Sequence, residues 1–161
     1  MTITADDYRE VLRHFPSGVT LVTIKSGGQI HGLTVSAFAS VSPDPPSILV
    51  AIDKRHSAHG LLQAQDAVFA VNILAADQAD LSNRFAWTKD EDRFAVGEWG
   101  TAVTGAPILH NCLAWLDCTI ANQHDSNTHI IYIGSVQASG VPRADEPPLI
   151  YWNREYRRLA L

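Results

Sequence analysis

Apolar and polar positions change their spacing several times along this chain, and each change marks an element. Tyr8, Val11, Leu12 and Phe15 recur at helical spacing and make one apolar face. Thr4 caps that helix, Asp6 and Asp7 complement the dipole of its first turn, and Pro16-Ser17-Gly18 ends it. From Val19 the period drops to two, which predicts a strand over 19–25, and Ser26-Gly27-Gly28 turns the chain back. The return strand is predicted over 29–42 with a bend at Gly32, and Pro43-Asp44-Pro45-Pro46 stops it. Further strands are predicted over 47–53, 68–74, 113–121, 130–138 and 149–152. Short helices are expected over 56–65 and 75–85, the second with Leu81 and Phe85 facing inward. Residues 86–107 read as a long ordered loop, and loops of that length usually serve a function or an interface. Residues 122–129 read as a connection.

Strands joined by hairpins, with only two or three helices, predict a mainly β fold. The expected form is an antiparallel barrel with helices at its ends. Strands and helices do not alternate regularly, which argues against a doubly wound parallel sheet. No repeat or low-complexity linker divides residues 1–161, so one domain is expected.

Composition narrows the classes of partner. The net charge is −5 with no basic stripe, which argues against nucleic acid. Charged residues interrupt every apolar run before it reaches membrane-spanning length. The first residues lack the basic start and apolar stretch of a secretory signal, so a cytoplasmic protein is expected. Cys112 and Cys118 fit that compartment. On one extended strand their Cα atoms would lie roughly 20 Å apart, whereas a disulfide needs less than about 7 Å.

The stretch from Gly32 to Ser42 carries the strongest chemical signal. More than half of it is Gly, Ala or Ser, where a core strand would carry Val, Ile and Phe. Small residues let a flat ligand lie against the backbone, and they also suit a barrel corner. Lys54-Arg55-His56-Ser57 places two cations beside an expected helix start, a candidate phosphate site in which Ser57 donates to phosphate or caps the helix. Arg84-Phe85 and Arg93-Phe94 each set a cation beside a ring. The plainer reading of either pair is a core Phe with a solvated Arg. Asp90, Glu91 and Asp92 read as a solvated acidic face. His129 opens a strand and is a candidate hydrogen-bond donor near neutral pH. His110, Cys112, Cys118, His124 and His129 match no compact zinc spacing, so no metal is expected. No Gly-x-Ser-x-Gly elbow and no Gly-x-Gly-x-x-Gly turn occurs, so neither a serine hydrolase nor a Rossmann site is supported.

The order of several motifs resembles the flavin reductase-like family of FMN-binding split barrels over nearly the whole chain. The motifs begin with Phe15-Pro16-Ser17-Gly18-Val19-Thr20 and continue with Gly32-Leu33-Thr34-Val35-Ser36-Ala37-Phe38 and Ser40-Val41-Ser42-Pro43-Asp44-Pro45-Pro46. Phe69-Ala70-Val71-Asn72-Ile73-Leu74, Arg93-Phe94, Gly105-Ala106-Pro107-Ile108-Leu109 and Pro148-Leu149-Ile150-Tyr151 follow. The resemblance implies an antiparallel Greek-key split barrel that forms a homodimer with flavin near the subunit interface. It also implies reduction of FMN or FAD by NADH or NADPH, often to supply a separate monooxygenase. By matching position, Thr34, Val35, Ser36, Ala37, Ser40 and Val41 are expected to contact the flavin ring and ribityl chain. Lys54, Arg55 and Ser57 are expected at its phosphate, and Phe85, Ala86 and Arg93 near it. His129 and Tyr156 are expected to position nicotinamide, with Tyr151 or Trp152 as alternatives for the place of Tyr156. The family often carries Gly-Asp-His before that strand, where this chain has Asn127-Thr128-His129. A non-enzymatic flavin carrier or storage protein of the same fold is the alternative.

Overall fold

A computed structural model describes residues 2–88 and 92–160. Thr4 accepts from the Asp7 amide and Asp7 reaches back to Thr4, a capping box that opens α1 (Ala5–Leu12). The strands in chain order are β1 (Ser17–Gly18), β2 (Thr20–Ser26), β3 (Gln29–Val35), β4 (Phe38–Pro43), β5 (Pro46–Asp53) and β6 (Val68–Ile73). They continue with β7 (Trp99–Gly100), β8 (Ile108–Leu109), β9 (Ala114–Ser126), β10 (His129–Gly140), β11 (Ile150–Trp152) and β12 (Glu155–Arg157). Two further helices are α2 (His59–Leu62) and α3 (Ala79–Trp87), and a single 3-10 turn spans Arg93–Ala95.

Seven strands form one antiparallel sheet in the order β3-β2-β6-β9-β10-β5-β4. Its two edge strands, β3 and β4, follow each other in the chain with only Ser36 and Ala37 between them. So short a link between opposite edges forces the sheet to curl into a barrel. The seam stays open as a ladder, since β3 pairs with β2 and β4 pairs with β5. The Ala51 amide donates to the Ala37 carbonyl across the corner at 3.0 Å. β11 pairs with β1 and β12 in a small second sheet, and β7 pairs with β8.

The barrel interior is filled by Val22, Ile24, Leu33, Val35, Val50, Phe69 and Tyr132. Alternate residues of β2 face the other way, and Leu21 joins Val19, Leu74, Phe85, Leu109 and Leu149 in a second core under α3. Buried Asn72 links the layers. Its amide donates to the Leu21 carbonyl and its oxygen accepts from the Leu109 amide.

Several sequence expectations shift at this level. The bend in the long return strand falls at Ser36-Ala37, not at Gly32. Gly32 is small for another reason: a Cβ there would lie 2.4 Å from Phe85 Cε1. The helix expected over 56–65 is the single turn α2, and Ala58 precedes it with no side-chain cap, so Ser57 does not cap it. The connection expected over 122–129 is a hairpin. Residues 122–126 stay extended in β9, and Asn127 takes a left-handed φ of 53° in the turn. The long loop contains β7 and the 3-10 turn. Arg84 and Arg93 tie this segment down by donating to backbone carbonyls. Asp92 caps the 3-10 turn by accepting from the Phe94 amide, while Asp90 and Glu91 lie outside the described residues.

Candidate functional site

The two-residue corner Ser36-Ala37 is the centre of the candidate site. Both residues are exposed, with small side chains that leave the backbone approachable. Two clefts meet there and share Ser36, Tyr151 and Arg154. One, of about 320 Å3, lies between β3, the outer face of α3 and the β11–β12 hairpin. The other, of about 660 Å3, lies between the corner and α1. Both volumes suit a small-molecule ligand.

The smaller cleft is built on one serine. Thr34 Oγ1 donates to the Ser82 carbonyl at 2.6 Å, and the Tyr156 hydroxyl donates to Ser82 Oγ at 2.8 Å. The Tyr156 oxygen also lies 3.1 Å from Asn83 Oδ1. Wholly buried Ser82 therefore pins β3, α3 and β12 to one another. The structure thus brings Thr34, Ser36, Ala86 and Tyr156 together, with Trp87 and Arg154 at the same cleft. Sequence reasoning missed Ser82, Asn83, Trp87 and Arg154, whereas Tyr151 stood in it as an alternative to Tyr156. Only their position around the corner reveals the missed residues, since none stands in a distinctive spacing.

The other expected residues lie elsewhere or face away. Val35 points into the barrel core, and Phe85 is wholly buried against Phe94 and Trp99. Arg93 donates to the Gly32 carbonyl at 2.6 Å and to the Thr88 carbonyl at 2.9 Å. Ser40 and Val41 line a separate cleft of about 640 Å3 along β4.

The expected phosphate group of residues sits at the end of β5. Lys54 Nζ donates to Asp125 at 2.7 Å, and Arg55 grips Asp53 through Nε and Nη2. That guanidinium holds the Asp53 carboxyl well below the usual carboxylate range. His129 is the β-ladder partner of Asp53, and its ring nitrogen Nδ1 lies 2.9 Å from the Thr128 hydroxyl. Ser57 lies at a shallow cleft with His31. His129 and Tyr156 are therefore placed at different sites of the protomer.

Beneath this end, His59 Nε2 lies 2.8 Å from the Asp53 carbonyl and Nδ1 lies 2.7 Å from the Tyr132 hydroxyl. A carbonyl can only accept, so Nε2 carries the proton and Nδ1 accepts from the buried tyrosine. The pair fixes the β5–α2 turn to the barrel interior. His31 has a buried Nε2 with no partner among the described residues. Burial, then the charges of His56 and Arg93, pushes its pKa down to about 4. An unfolded His titrates near about 6.5, so the unfolded chain takes the proton first. The His31 contribution is complete above that value and is lost as pH falls towards 4. The melting temperature of the wild type should therefore fall relative to that of His31→Asn on going from pH 7.5 to pH 5. A rise of the wild type relative to the variant over that range would contradict this assignment.

Among the described residues, no three His, Cys, Asp or Glu side chains gather as metal ligands. Cys112 and Cys118 are buried and free, and burial pushes their thiols up to about 11 and about 12. No helix among the described residues is long and apolar enough to cross a membrane.

The chain belongs to the family described as the flavin reductase like domain, whose model matches residues 12–160. It is 38% identical over 154 residues to the FMN reductase (NADH) RutF of Agrobacterium fabrum, covering 95% of this chain and 87% of that one. It is 33% identical over 150 residues to the flavin-dependent monooxygenase reductase subunit HsaB of Mycobacterium tuberculosis, covering 92% and 79%. The NADH:FAD oxidoreductase SgcE6 of Streptomyces globisporus, solved in complex with NAD and FAD fragments, superposes with a TM-score of 0.88 at 30% identity. That match covers 99% of this chain and 97% of the other.

Proposed function

We propose that this chain, one domain over residues 1–161, is an NAD(P)H-dependent flavin reductase. It passes hydride from nicotinamide to FMN or FAD and supplies reduced flavin to a separate monooxygenase. The observation that carries the reading is the small-residue corner Ser36-Ala37 with its paired clefts, in a chain of this family. The residues fit a flat ring at that corner: the backbone is bare, Ala86 is small, and Trp87, Tyr151 and Tyr156 offer aromatic edges and faces. Bound flavin supplies the hydride acceptor. The protein's share is to hold two planar rings in contact and keep water from between them, which accounts for much of the rate in such transfers. Thr34, Ser82 and Tyr156 keep the cleft wall rigid, and no side-chain acid or base is required.

The phosphate end fits less well. Lys54 and Arg55 are both engaged by carboxylates, so either must exchange an exposed ion pair for a phosphate. Solvent screens such exposed pairs and leaves them weak, so the exchange is accessible. His129 stands beside them and would meet nicotinamide only where the ligand reaches that rim.

The same reading makes the protein a homodimer in the cytoplasm. α1 buries none of its residues in the protomer, and Tyr8, Val11, Leu12 and Phe15 are exposed beside the larger cleft. An apolar helix face of that kind calls for a cover, and a second copy supplies one. Mixing purified protein with FMN or FAD and then NADH or NADPH without oxygen tests the function. Catalytic bleaching of flavin absorbance is expected. Tight flavin binding without bleaching would instead indicate a flavin carrier, and no binding would reject both.

A further inference from the structure

The geometry points to Arg154 as a phosphate-binding residue of the corner site, a role that rests on the proposed nucleotide chemistry of that cleft. Asn153 and Arg154 form the two-residue loop between β11 and β12, with Trp152 facing Glu155 across it. Their φ angles are 52° and 66°. Such a hairpin turn favours Asn at its first position and Gly at its second. Asn153 suits its place, whereas Arg154 holds a left-handed conformation that a long side chain rarely adopts. A residue kept where glycine is better suited points to a use for its side chain.

The guanidinium is also uncommitted. Arg154 makes no hydrogen bond or ion pair among the described residues. The nearby carboxylates are already engaged. Glu155 pairs with Arg157 at 2.6 Å, and Glu10 pairs with Arg13. The Arg154 charge still helps hold the Glu10 carboxyl low, which places the two in one electrostatic neighbourhood. The turn itself is anchored, since the Asn153 amide donates to the Arg13 carbonyl and Trp152 Nε1 donates to the His14 carbonyl. Arg154 therefore presents a cation from a fixed base at the junction of both clefts. Lys54 and Arg55 differ from it, because each already holds a carboxylate. A planar fork of donors meets a phosphate better than it meets any other part of a flavin or nicotinamide nucleotide. The phosphate can come from either nucleotide, and the two sources are separable.

Arg154→Gly removes the charge and relaxes the turn, so its melting temperature should not fall. Arg154→Lys keeps the charge and loses the fork. Two ligand pairs differ in phosphate: FMN against riboflavin, followed by quenching of flavin fluorescence, and NADH against dihydronicotinamide riboside, followed by KM. Arg154→Gly should weaken one phosphorylated member about tenfold to hundredfold, the scale of a lost charged hydrogen bond. Its unphosphorylated partner should be unchanged, and Arg154→Lys should fall between. Weaker FMN binding assigns the phosphate to flavin, and a raised KM for NADH assigns it to the nicotinamide nucleotide. If neither ratio moves while wild-type protein binds and turns over normally, Arg154 is a solvated turn residue and the assignment is wrong. Wild-type protein that binds no flavin would overturn the parent reading and this assignment together.

Discussion

Gly32→Ala is expected to lower the melting temperature by several degrees, although it adds a single methyl group. The new Cβ would stand 2.4 Å from Phe85 Cε1, 2.8 Å from Phe85 Cδ1 and 3.1 Å from Phe94 Cζ. Phe85 cannot yield easily. It is wholly buried, its ring meets Phe94 edge-on at 5.3 Å between centroids, and Trp99 lies at 5.6 Å. Overpacking of this kind costs about 1–3 kcal/mol. At this size each kcal/mol shifts the midpoint by about 2–4 °C. The backbone cannot retreat without lengthening the 2.6 Å bond from Arg93 to the Gly32 carbonyl, which ties the segment after α3 to the sheet. Phe85→Leu alone should also destabilise by opening a cavity. Combined with Gly32→Ala it should cost less than the sum, because the smaller side chain makes room for the methyl. Strictly additive losses in thermal or urea unfolding would show that the two sites do not meet as described.

This contact also shows what the sequence could and could not disclose. Alternation marked β2 and short apolar runs marked β5 and β6 as strands, but not that β2 and β6 would be buried on both faces. The run of small residues from Gly32 to Ser42 was readable as a corner or a ligand wall, but not which residue served which purpose. Gly32 admits Phe85, while Ser36 and Ala37 make the corner. A glycine needed for a neighbour 53 positions away in sequence leaves no local mark. The helical spacing of Tyr8, Val11, Leu12 and Phe15 predicted α1, although the helix ends at Leu12 and Phe15 lies beyond it. The same spacing says nothing about what covers the face, and the protomer leaves it exposed. Polar residues 122–126 read as a connection because no apolar alternation marks them, yet their pairing with β10 needs only backbone groups. Lys54 and Arg55 were legible as cations beside a strand end. Their carboxylate partners come from the hairpin tip and from the strand itself, and only the register of β5 against β10 brings Asp125 within reach of Lys54.

Ser36→Trp is expected to abolish flavin binding while leaving the fold in place, and the two halves of that statement rest on different observations. Ser36 is exposed, and its side chain makes no hydrogen bond among the described residues. Its carbonyl accepts from the Phe38 amide at 2.9 Å, which any residue can do. A substitution at such a position changes stability by about 0.5 kcal/mol or less. Function should respond very differently, because Ser36 is common to both clefts. An indole there fills space at the corner where the proposed ring would lie and covers the backbone it would contact. Losing that contact across one face of a fused ring system should weaken binding at least about a hundredfold, equivalent to about 2.7 kcal/mol. Ser36→Ala, by contrast, should bind flavin within a few-fold of wild type, since the corner needs a small residue more than it needs a hydroxyl. Fluorescence titration with FMN, set beside thermal unfolding of the same samples, separates the two effects. If Ser36→Trp melts normally and still binds FMN like the wild type, the flavin lies elsewhere. The cleft along β4 that holds Ser40 and Val41 would then be the place to look, because it is the other wide opening along the same small-residue stretch.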